Sequence, residues 1–98
     1  MRKFVIERDI AGVGSMSSTE LSGAARTSNA ALDQIKGIQW QHSYTTADKT
    51  FCIYLANSEK EIHEHSRLSG FPATKITEVL TIIDPTTENQ REQAVAAA

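Results

Sequence analysis

The chain has 98 residues, a formal charge of −2 and a pI near 5.9, and its lysines and arginines are scattered. That length makes one domain, and the dispersed charge excludes an electrostatic footprint for nucleic acid or for an anionic membrane. No apolar run is long enough for a bilayer span or a signal peptide, and Cys52 is the single cysteine, so a reducing cytoplasm is the expected setting.

The first element is KFVIE, residues 3–7, a β-branched and aromatic run that reads as a strand. Glu7 and Asp9 alternate with Val5 toward its end and offer carboxylate oxygens. The glycine- and serine-containing stretch that follows suits a loop. Its GVGS, residues 12–15, lacks the Gly-Lys-Ser/Thr ending of a phosphate loop. Ser17-x-x-Glu20 then forms a capping box. Leu21, Ala24, Ala25, Ser28, Leu32 and Ile35 recur at helical spacing, and Gly37 closes the helix. A stripe of such small residues predicts a helix lying close against a sheet.

IQWQHSYTT and TFCIYLAN, separated by ADK, predict a β-hairpin. The second run is apolar throughout, as a central strand covered on both faces would be. Strict alternation would project Trp40, His42 and Tyr44 from one side of the first hairpin strand, and Cys52 and Tyr54 together from the second. The tyrosine hydroxyls would suit orienting a ligand on an apolar wall. Cys52 reads as a small buried filler, because no CxxC and no basic neighbour argue for a reactive thiolate.

Ser58, Glu61 and Gly70 frame a second helix. Its inward stripe runs from Ile62 to His65, Ser66 and Ser69, polar residues where Leu or Ala would be usual. Buried polar groups need partners. A small polar cavity under this helix would provide them, with His65 as ligand, proton carrier or anchor; the plainer alternative is a hydrogen-bonded core histidine. His63 lies about 200° around the helix from His65, so the two cannot chelate one ion. TKITEVLTII, residues 74–83, is the last strand, stopped by Asp84-Pro85. A domain over residues 1–85 and a mobile or partner-dependent tail over 86–98 are expected.

The order β-α-β-β-α-β predicts an α+β, ferredoxin-like fold: a four-stranded antiparallel sheet with two helices on one face. The bare apolar face would be covered by a second copy, giving a homodimer.

Three segments, FVIERDI, IQWQHSYTTADKTFCIYLA and EHSRLSGFPATKI, carry the motifs W-x-x-S-Y, D-K-x-x-C-x-Y-x-A and E-H followed by G-F-P. These fall on Trp40, Ser43, Tyr44, Asp48, Lys49, Cys52, Tyr54, Ala56, Glu64, His65, Gly70, Phe71 and Pro72. The set resembles an uncharacterised-domain family typified by a small bacterial nickel-binding protein, with the dimeric α+β barrel architecture. The resemblance runs from about residue 2 to residue 87. It implies the same dimer and a bound divalent metal, nickel or a similar ion. Imidazole with carboxylate suits nickel, and His42, His65, Glu64 and Glu7 are the candidate ligands. The first strand carries Arg8 where a histidine or cysteine ligand would be wanted.

Two further functions stay open at this point. One is a cofactor-free enzyme of the monooxygenase or isomerase type, with His65 as general acid/base and Tyr44 or Tyr54 orienting substrate, by analogy with the barrel superfamily. The other is an assembly or interaction protein without a small-molecule site.

Overall fold

Alternating side chains in four extended segments build a single antiparallel sheet. A computed structural model describes residues 1–89. Its elements are β1 (Arg2–Asp9), a 3₁₀ turn (Val13–Ser15), α1 (Ser18–Leu32), β2 (Ile38–Thr45), β3 (Lys49–Ala56), α2 (Glu59–Ser69) and β4 (Lys75–Val79). The spatial order is β2-β3-β1-β4 with every neighbouring pair antiparallel, which is the expected ferredoxin-like α+β topology. The expected tail from residue 86 lies mostly outside the described residues.

The core forms where the helix-facing parity of the strands meets α2. Phe4 and Ile6 from β1, Ile38 from β2, and Cys52, Tyr54 and Ala56 from β3 pack with Ile62 of α2. Removing each large apolar side chain from water contributes about 1.5–3 kcal/mol. Leu32, Ile35, Trp40, Ala73 and Ile76 close the margins of this cluster. Val5, Phe51, Ile53 and Leu55 take the opposite parity and form a half-buried apolar stripe on the helix-free face.

Helix ends follow their sequence signals with one shift. The Ser17 hydroxyl accepts from Glu20 N–H at 3.1 Å, and Ser17 N–H donates to the Glu20 carboxylate at 3.0 Å, a complete capping box. α1 ends at Leu32, not beside Gly37, because Gln34 and Ile35 turn off through tighter bonds to the carbonyls of Ala31 and Leu32. Gly37 instead starts the hairpin at φ 82°, where an added Cβ would lie 2.3 Å from Asn57 Nδ2.

Two strand expectations are corrected. β4 stops at Val79 although the apolar sequence continues to Ile83. Val79 already pairs with Lys3, so β1 has almost no residues left to bond the chain beyond it. Leu80 is consequently 89% exposed, and Ile82 and Ile83 are exposed with it. In β2 a bulge between Trp40 and His42 breaks the alternation. One extra residue reverses the parity of everything after it. Trp40, Ser43 and Thr45 therefore oppose Tyr54, Cys52 and Thr50 on the helix side, whereas His42 and Tyr44 oppose Ile53 and Phe51 on the helix-free side.

Candidate functional site

Arg8 continues the inward parity of Phe4 and Ile6, so β1 drives a guanidinium under the helices, where it is 2% exposed. Its Nη1 donates to Ser66 Oγ at 3.2 Å and to the carbonyls of Phe71 and Pro72, each at 3.1 Å. Gly70, at φ 81°, caps α2 in the left-handed region and turns those two carbonyls toward the guanidinium. The negative end of the α2 dipole adds to this partial compensation. Among the described residues no carboxylate comes within 4.0 Å of Arg8, since the ion pairs are Arg2–Glu78, Lys49–Glu7, Lys49–Asp9 and Arg67–Glu64. Among the described residues the charge is buried without a counter-ion.

His65 is locked between two partners. Arg8 Nη2 lies 3.3 Å from Nδ1, and Ser28 Oγ lies 3.0 Å from Nε2. A guanidinium can only donate, so Nδ1 accepts and the ring proton sits on Nε2, which donates to Ser28. The ring is 1% exposed and stands 5.4 Å, centroid to centroid, from Tyr54. Burial lowers its pKa from 6.5 to about 4, with the Arg8 charge acting in the same direction and a hydrogen bond to the Ser28 backbone opposing. At neutral pH it is an uncharged linker joining β1, α2 and α1. Burial also holds the Tyr54 phenol above its ordinary value of 10, against the pull of Arg8.

Beside this relay the sheet and α1 separate. A half-open cavity of about 310 Å³ lies between them. Ala24, Ala25 and Ser28 of α1 form one wall, Trp40, Ser43, Thr50, Cys52 and Tyr54 form the sheet wall, and Val13, Met16, Leu21 and Phe71 close the sides. The α1 wall is made of small residues, so α1 does not fill the space above the sheet along this part of its stripe. The expectation of tight contact holds only toward Leu32 and Ile35. The cavity thus lies under α1, where one under the second helix was expected. α2 contributes His65 and Ser66 as the support behind Arg8.

The candidate residues divide between the two faces. His65 and Tyr54 share the helix side. Tyr44, 61% exposed, lies on the opposite side, where its hydroxyl is 3.1 Å from His42 Nε2. Glu7 is also on that side and pairs with Lys49 at 3.8 Å. Glu64 points outward and pairs with Arg67. The expected ligand set of His42, His65, Glu64 and Glu7 is therefore not brought together. Sequence reasoning passed over Arg8 and Ser28 as site residues. The signal for Arg8 was its parity with Phe4 and Ile6, and the signal for Ser28 was a lone hydroxyl on an otherwise apolar helix stripe.

The donors of the described residues do not converge as a nickel site needs. Among the described residues no three His, Cys, Asp or Glu side chains converge. The buried imidazole has its one lone pair taken by Arg8, and a dication there would face an uncompensated guanidinium.

No curated protein matches the chain. The crystal structure of SCO4226 from Streptomyces coelicolor A3(2) superposes with a TM-score of 0.70 at 15% identity, covering 83% of this chain and 99% of that one, which is a likeness of fold. The family model described as nickel responsive protein SCO4226-like matches residues 4–79. With β2, β3, β4 and all of β1 from Phe4 onward inside that match, the chain belongs to the SCO4226-like family.

Proposed function

We propose that the protein is a small binding protein that holds an apolar organic molecule in the cavity between α1 and the sheet. The observation that carries this reading is the cavity itself: about 310 Å³, walled by Trp40, Leu21 and Ala24, with Arg8, Ser28 and Tyr54 as the polar groups at its end. Its volume is about twice that of the ~150 Å³ cavity that admits benzene, so a two-ring molecule fits. Apolar walls with a few convergent polar groups are the usual make-up of a small-molecule site. A reducing cytoplasm suits the buried Cys52 thiol.

The reading includes a homodimer formed through the helix-free sheet face. The Val5, Phe51, Ile53 and Leu55 stripe and the exposed Leu80, Ile82 and Ile83 favour it. It leaves catalysis aside, because a general base needs a lone pair and His65 Nδ1 is already hydrogen-bonded to Arg8. Nickel, to which the family description refers, has no convergent ligand set here among the described residues.

Calorimetric titration with 2-naphthamide at pH 7 tests the cavity. Saturable binding at one site per chain is expected, with loss of binding in Ala25→Phe, whose new ring would fill the space while the fold is kept. Equal binding by wild type and Ala25→Phe, or no binding of any two-ring ligand, would overturn the reading.

A further inference from the structure

We infer that the ligand is an organic acid, held with its single carboxylate against the guanidinium of Arg8 and its apolar body along Trp40 and α1. The inference rests on the reading of the cavity as a ligand site and names the class of molecule that site takes.

Three observations carry it. Arg8 is 2% exposed, lines the cavity, and has no carboxylate within 4.0 Å among the described residues. A buried charge left without a counter-ion is costly, and an anion entering the cavity would remove that cost. The neutral acceptors around it, two carbonyls, one hydroxyl and an imidazole nitrogen, satisfy hydrogen bonds but leave the net charge in place.

The donors left over have a matching shape. Of the five guanidinium N–H groups, the acceptors named above engage Nη1 and one hydrogen of Nη2. No hydrogen bond from Nε is formed among the described residues, and the Tyr54 phenol lies beside the guanidinium. No fully buried side-chain nitrogen there lacks a partner, which places Nε at the cavity surface. The Nε–Nη2 edge of a guanidinium is one that receives a carboxylate, and Nε–H is its open member here. Ser28 Oγ accepts from His65 and lines the same space beside the Tyr54 phenol.

Charge selects among anions. Among the described residues one cation faces the cavity and no second one lines its walls, so a monoanion neutralises it, whereas a phosphate dianion would bury a surplus negative charge. The remaining lining is mainly aliphatic and aromatic, which favours an acid with a compact apolar body over a short hydroxy acid.

The test compares 2-naphthoate with its neutral isostere 2-naphthamide on the wild-type protein at pH 7, by calorimetry. Naphthoate is expected to bind at least tenfold more tightly, about the difference a charge-assisted pair makes. That preference should fall toward unity in Arg8→Gln, and both ligands should lose binding in Ala25→Phe. Equal affinities in the wild type would overturn acid selection while leaving the cavity site intact. Absence of binding by both would remove the cavity site and this inference together. Naphthoate binding that survives Ala25→Phe would place the anion elsewhere and overturn the inference. If Arg8→Gln fails to fold, the wild-type ratio still decides.

Discussion

Protonating His65 should destabilise this protein as the pH falls from 6.5 toward 4. The folded pKa is about 4 and the unfolded value is 6.5, so between them the unfolded chain binds the extra proton. Stability is then fully present above 6.5 and is lost as the pH falls toward 4. Each unit of pKa difference corresponds to about 1.4 kcal/mol, and rounding at both ends leaves a loss of about 2 kcal/mol between pH 7 and 4.5. The Glu20, Glu61, Glu64, Glu78 and Asp84 carboxyls are all held below their ordinary values by hydrogen bonds, so their contributions disappear only at lower pH. Urea unfolding at fixed protein concentration, at pH 7, 6, 5 and 4.5, should be run on wild type and His65→Gln. His42, His63 and the carboxylates are common to both proteins and cancel in the difference. The wild type should lose about 2 kcal/mol relative to the variant across the range. Parallel pH profiles would refute the reasoning, since they would mean that the imidazole takes up a proton in the folded state without opposition from burial and Arg8.

Other perturbations follow from the same geometry. Gly37→Ala should destabilise by about 1–2 kcal/mol in thermal or urea unfolding, because φ is positive there and the new Cβ meets Asn57. Ile53→Glu, on the apolar stripe opposite the helices, should convert a dimer to monomer in light scattering while naphthamide binding persists; an unchanged mass would remove that face as the interface. Nickel titrated into wild type and His65→Gln should give the same isotherm, and a site lost in the variant would contradict the tautomer assigned from Arg8.

The layer order was legible in the sequence because it depends on signals that are local. Ser17 and Glu20 capped α1 as their spacing required, Gly70 ended α2, and the apolar runs around Phe4, Cys52 and Ile76 became the strands of one sheet. The site was legible only in part. The polar stripe of α2 correctly placed His65 inward, but its partners come from β1 and α1, 57 and 37 residues away in the chain. Which face His42 and Tyr44 take depended on the β2 bulge, and nothing local marks an extra residue at Gln41 as unpaired. β4 fell short because pairing depends on the length of its neighbour, which an apolar run such as VLTII does not encode.

A crystal structure grown with 2-naphthoate tests the central claim most directly. The expected result is a two-ring density between Ala25, Trp40 and Tyr54 with its carboxylate on the Nε–Nη2 edge of Arg8. Trp40 or Phe71 folded into the cavity with no ligand density, or a naphthoate bound only on the helix-free face, would contradict it.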